Sequence, residues 1–179
     1  MDVGQGMTWE SLGWRYRALR IAAAAAAFAA IAASASEAAP GLFTNMAGKW
    51  RGDGSLSWTT GEVERIRCQA TYEVEEDGNK ITQSLTCATD STKLVVKSTI
   101  TYRPAAGAIV GDWREATYGI NGRVSGSASA GRIRALVQSG DKNFTARVTV
   151  VTRGREQDVL IRPENFNVTE VAVKLRKTG

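Results

Sequence analysis

The sequence predicts an all-β domain: an antiparallel up-and-down barrel, closed on itself, of about eight to ten strands. Three observations carry the prediction. Downstream of Pro40, apolar residues recur at every second position, the period of a strand with one buried face. Turn signals interrupt that pattern roughly every 10 to 15 residues, as in sandwiches and barrels. A sheet of many sequential hairpins also has two bare edges, and closure removes them.

The strands follow in order. In the first strand, Gly48, Trp50, Gly52, Gly54, Leu56 and Trp58 share one face. Large side chains and glycines alternate there, which lets a strand bend sharply over one indole. From about Arg65 the apolar set is even: Ile66, Cys68, Ala70, Tyr72 and Val74, with Glu64 also on the even set. The turn EDGN at 76–79 follows. After it the set is odd: Ile81, Leu85 and Cys87. Folding the two strands about Asp77-Gly78 pairs Val74 with Ile81, Ala70 with Leu85 and Cys68 with Cys87. A single register thus serves both the apolar match and the two cysteines. A four-residue loop is preferred, because it places the cysteines in the closer, non-hydrogen-bonded kind of pair.

Further faces group Leu94, Val96, Ser98, Ile100 and Tyr102; Ile109, Gly111 and Trp113; Val124, Gly126 and Ala128; Ile133, Ala135 and Val137; and Val171, Val173 and Leu175. A hairpin about Arg153-Gly154 pairs Val148 with Val159 and Ala146 with Ile161. The remaining turn signals are Thr60-Gly61, Asp90-Ser91, Pro104 to Gly107, Asn121-Gly122, Ala130-Gly131, Gly140-Asp141 and Pro163.

The N-terminus reads as an export signal. Arg15, Arg17 and Arg20 precede a short apolar run at 21–33, and small residues then fit cleavage after Ala35 or Ala38. Met1 or Met7 is the start. The run of about 13 residues falls short of the about 20 that a spanning helix needs, and no cysteine offers a lipoprotein anchor. The expected organisation is a signal peptide at 1–35, a lead at 36–46 and a single barrel domain at 47–177. Its destination is the periplasm or the outside. Two cysteines in an exported chain read as one disulfide, Cys68–Cys87. Closing that loop contributes roughly 3 kcal/mol.

The chain carries a formal net charge of +5. Such an excess suits anionic sugars, lipid head groups or acidic proteins. The arginines are spread along the sequence with few aromatics between them, which argues against nucleic acid. Period two does not distinguish a soluble barrel from an outer-membrane one. The apolar face is poor in aromatics, however, and the chain ends KLRKTG without a terminal aromatic. The soluble form is expected.

The run GKWRGDG at 48–54, entered after the lead LFTNMA at 42–47, resembles the G-x-W signature of the calycin superfamily. That group includes lipocalins, fatty-acid-binding proteins, nitrobindins and periplasmic metalloprotease inhibitors. The longer run is similar to the G-x-W-x-G-x-G of nitrobindin-like barrels. The chain also looks like a set of exported bacterial proteins with the same start and two strand cysteines. The resemblance implies that Gly48, Trp50, Gly52 and Gly54 form the structural motif. It also implies that a basic side chain from the last strand, Arg176 or Lys174, crosses the Trp50 ring.

The chain has no histidine. That removes Ser-His-Asp and Cys-His units, histidine metal sites and the imidazole that nitrobindin-type haem binding needs. No cofactor or metal is expected, and no catalytic residue is named. The chain is therefore expected not to be an enzyme, with one chemistry left open. A carboxylate pair, Glu115 with Asp53 or Glu62, is the residue set that glycoside cleavage would use. Binding is the stronger expectation. Tyr72, Gln83, Ser98, Tyr102, Trp113 and Glu115 are expected inside the barrel, where aromatics with a few polar groups suit a small apolar or amphipathic ligand. The other expectation is a filled core with a contact surface for a periplasmic protein, as in an inhibitor or envelope factor.

Overall fold

Alternation of inward and outward side chains holds along ten strands in the computed structural model, which describes residues 40–179 apart from Lys142. They are β1 (Gly48–Trp58), β2 (Val63–Glu75), β3 (Lys80–Ala88), β4 (Lys93–Arg103), β5 (Ala108–Glu115), β6 (Ile120–Ser129), β7 (Arg132–Ser139), β8 (Thr145–Arg153), β9 (Glu156–Glu164) and β10 (Val168–Lys177). Each pairs antiparallel with the next, and β1 closes the ring on β10. No sheet edge is left unpaired. The expected export signal lies outside the described residues.

The β2–β3 hairpin has the expected register. Cys68 stands opposite Cys87, and Glu75–Lys80 is the last pair before a four-residue loop. The disulfide is formed, with Cα atoms 4.1 Å apart, the short spacing of a non-hydrogen-bonded pair.

Three expectations are corrected. In the β8–β9 hairpin, Val148 faces Ile161 and Ala146 faces Pro163. The loop is Gly154-Arg155, one residue later than read, with Gly154 at φ 58°. A turn displaced by one residue moves every partner by two, so the inward faces survive. Asn121-Gly122 and Pro163 are not turns: the first lies in β6 and the second in β9. Pro163 sits next to last in its strand, where a missing N–H disturbs the ladder least. The turn before β6 is instead at 116–119. Finally, neither Lys174 nor Arg176 crosses Trp50. Both point outward and are exposed, and Lys177 lies over the indole at 5.9 Å from the ring centroid. The phase that puts Val173 and Leu175 inside also puts Lys177 on the inner side, opposite Trp50.

The two ends of the barrel differ. A 3-10 turn, Thr44–Met46, lies against the end where β1 begins. Phe43 donates its N–H to the Gly78 carbonyl at 2.8 Å. The fully buried Trp50 indole donates to the Met46 carbonyl at 2.8 Å. Ile81, Ile109 and Leu175 complete a buried floor. Gly52 and Gly54 let β1 curl closely there, since a Cβ at either would collide with the β10 carbonyls of Lys174 and Ala172. The opposite end carries the loops at 59–62, 89–92, 116–119, 140–141 with 143–144, and 165–167. Toward it the inward residues Leu56, Leu85, Val96, Val137, Val148, Ile161 and Val171 are half-buried, between the buried Ile66, Cys87, Ala146 and Val168.

Candidate functional site

Four of the six residues expected inside form one row. Tyr72 faces Gln83, Gln83 faces Ser98, and Ser98 faces Trp113 across successive strands. Barrel strands tilt, so a row of directly opposed residues climbs the wall. It begins at the floor and ends near the mouth.

Tyr72 belongs to the floor. Its ring meets Trp50 edge-on at 6.2 Å, and its hydroxyl donates to Gln157 Oε1 at 2.8 Å. Burial pushes the phenol well above its ordinary value, with the Gln157 bond opposing. Gln157 is itself buried and donates to Thr152 Oγ1 at 3.1 Å. The sequence reading missed Gln157, although it stands in phase with Val159 and Ile161. Tyr102 also stays at the floor end, where its N–H bonds to the Asn79 carbonyl. Midway up, the Ser98 hydroxyl donates to Gln83 Oε1 at 3.1 Å.

Trp113 stands near the mouth. Its indole donates to the Gln138 carbonyl at 3.3 Å, and its ring lies 5.8 Å from Phe144, which lies 5.9 Å from Phe166. Glu115, one inward position further on, is occupied by backbone. It accepts N–H bonds from Val95 at 3.1 Å, Thr117 at 2.8 Å and Tyr118 at 2.6 Å, stapling its own turn. Burial alone would raise this carboxyl. The bonds from Tyr118, Thr117 and Val95 outweigh it and hold the group below its ordinary value.

The mouth gathers residues that the sequence reading did not select as a site, together with Glu62, which it did name as a candidate carboxylate. A hollow of about 400 Å³ is lined by Trp58, Thr59, Thr60, Glu62, Glu64 and Asn167. A break in register at Ser57/Trp58 sits beside it. The Trp58 indole donates to Glu64 Oε1 at 2.8 Å, and the Ser91 hydroxyl donates to Oε2 at 3.1 Å. Thr89 first, then Trp58, holds the Glu64 carboxyl below its ordinary value. The signal for Glu64 was its place on the inward even set. Around the rim Val63, Tyr118, Ile120 and Phe166 are exposed apolar side chains.

The pair of Glu115 with Asp53 is not assembled as catalysis would require, and Glu62 lies in the hollow at the mouth. Asp53 points outward and pairs with Arg65 at 3.4 Å, on the other side of the wall from Glu115. A second hollow, about 900 Å³, lies on that outer wall and includes Arg51, Asp53, Arg67, Arg153, Glu156, Asp158, Lys174 and Arg176. There Arg153 pairs with Asp158 at 2.8 Å and Arg176 with Glu156 at 3.1 Å. No helix among the described residues is long and apolar enough to cross a membrane.

No family model matches the sequence, and a search of curated proteins finds no match. Solved structures do match in fold. Rv2717c from M. tuberculosis superposes with a TM-score of 0.55 at 11% identity, over 76% of this chain and 94% of that one. The S-type phycobiliprotein lyase CPES from Guillardia theta gives 0.50 at 11% identity, over 76% of this chain and 91% of that one. The chain therefore has a lipocalin-like barrel fold. The expectation that it is not an enzyme is corrected at this point. A barrel of the same fold bears the name of a lyase, so the missing histidine does not carry that conclusion.

Proposed function

We propose that the chain is an exported, calycin-like barrel that holds a small apolar or amphipathic ligand in its upper half. One observation carries the reading: the barrel is closed at the Trp50 end, while inward apolar side chains such as Leu56, Leu85, Val96 and Val171 are only half-buried. Polar groups are few and convergent, as in small-molecule sites. Gln83 and Ser98 lie partway up, and Trp58 and Glu64 lie at the mouth. The G-x-W start and Lys177 over Trp50 support the calycin assignment. The disulfide supports an oxidising, extracytoplasmic address.

Native mass spectrometry of protein purified from its own host tests the reading. A small mass should co-purify, and Val96→Trp with Val148→Trp should expel it by filling the barrel. A bare chain mass, together with no uptake of a fluorescent apolar probe, would overturn it. A second reading is favoured by the exposed Val63, Tyr118, Ile120 and Phe166. Apolar loop tips of this kind mark a protein-contact surface, as in an envelope factor or inhibitor. One solved neighbour is named for a phycobiliprotein, so a protein as the partner is in keeping with this fold. Capture of a partner that survives the two tryptophan substitutions would favour that reading.

A further inference from the structure

The basic residues that look dispersed along the sequence are gathered by the barrel. Arg51, Arg67 and Lys174 come from β1, β2 and β10, which lie side by side. Register fixes their geometry. Arg67 and Lys174 stand opposite Asp53 on its two sides, and Arg51 lies two positions along from Asp53 on the same strand face. Arg51 is thus a diagonal neighbour of each, about 7–8 Å away between backbones, while Arg67 and Lys174 are about 10 Å apart across two strand spacings.

All three are exposed in the outer hollow of about 900 Å³. The carboxylates beside them are engaged elsewhere: Asp53 with Arg65, Glu156 with Arg176 and Asp158 with Arg153. Among the described residues, no side-chain hydrogen bond or ion pair engages Arg51, Arg67 or Lys174. The hollow thus holds a triangle of cations whose local counter-charges are taken.

We infer that this wall is a binding site for an extended polyanion, a flexible chain with repeated phosphate or sulfate groups. The three exposed side chains rise from backbone positions about 7–10 Å apart, so successive anionic groups of one chain can meet successive side chains. No aromatic residue lines the hollow, so bases would find nothing to stack on. Among the described residues, no exposed large apolar side chain lies there either: Val63, Tyr118, Ile120 and Phe166 are at the mouth and Leu136 is on β7. A bilayer would have nothing to embed. The site is on the outside of the wall and is independent of any ligand within the barrel.

The test is anisotropy titration of the purified protein with two labelled probes, long-chain inorganic polyphosphate and dextran sulfate, over a series of salt concentrations. Arg51→Ala/Arg67→Ala/Lys174→Ala should weaken binding about tenfold or more and flatten the salt dependence by about two to three contacts. The control is Lys97→Ala/Arg114→Ala/Arg134→Ala, which removes equal charge from exposed positions on β4, β5 and β7. It should stay within about twofold of the parent, as expected when those cations make no contact. All six residues are exposed, and thermal melts of both variants should match the parent. Binding of polyphosphate alone would identify phosphate chains, and of dextran sulfate alone, sulfated ones. Equal loss in both variants would overturn the site in favour of diffuse charge. So would no binding of either probe, or equally tight, base-dependent binding of a single-stranded oligonucleotide.

Discussion

The Tyr72 hydroxyl and the Gln157 side chain, 85 residues apart, meet at 2.8 Å across the barrel floor. Strands β2 and β9 are not neighbours in the sheet, since β1 and β10 lie between them. The bond therefore spans the interior and fixes the floor from within. Tyr72→Phe strands the buried Gln157 Oε1 and should destabilise the fold by about 1–3 kcal/mol in urea titration. With Gln157→Leu added, the double variant should lose less than the sum of the two single losses, because both changes break one bond.

Glu115 makes the stability of the β5–β6 turn depend on pH. Its carboxyl lies below its ordinary value in the folded chain. The stabilisation it contributes is therefore complete above the ordinary carboxylate range and is lost as pH falls through the depressed value. Glu115→Gln should lower the melting temperature at neutral pH. It should also flatten the acid side of a stability profile, so that parent and variant converge at the lowest pH. A constant gap between the two profiles would contradict this role.

Reducing the Cys68–Cys87 bond, or replacing both residues by alanine, should cost roughly 3 kcal/mol by the loop-entropy estimate. The barrel register remains set by the paired strands, so far-ultraviolet circular dichroism should stay that of a sheet. Chemical denaturation with and without reductant measures the difference.

Gly52 is predicted to tolerate no side chain. A Cβ there meets the Lys174 carbonyl, backbone that cannot swing away. Gly52→Ala should destabilise by about 1–3 kcal/mol, the scale of overpacking. Gly61 has nothing within reach of an added Cβ but takes a positive φ of 89°. Gly61→Ala should therefore strain the backbone without crowding it. Comparing the two melts separates these causes.

Legibility varied with how many independent signals met at one place. In β2–β3 the alternation, the turn at 76–79 and the cysteines all specify one register, and it was readable. In β8–β9 the run from Val148 to Val151 offers apolar partners at several offsets, so the turn alone had to decide and was misjudged by one residue. Lys177 was readable in principle, since it continues the inward phase of Val173 and Leu175. Other features depend on which strands become neighbours. The row from Tyr72 to Trp113, the bond to Gln157 and the triangle of Arg51, Arg67 and Lys174 exist only once the ring is assembled. Glu64 was visible as an inward carboxylate, but its engagement by Trp58 and Ser91 depends on the loops around the mouth.

The seam between β1 and β10 has a consequence for how the chain acquires its shape. Every other pairing joins strands consecutive in the sequence, whereas β1 must wait for β10, which is synthesised much later. Until then Trp50 lacks Lys177 and Leu175, and the nascent sheet has two sticky margins. Docking of the final strand is thus the slow, long-range step, with the largest loop to close. Nascent chains that stop before residue 168 should remain open and prone to associate through those margins.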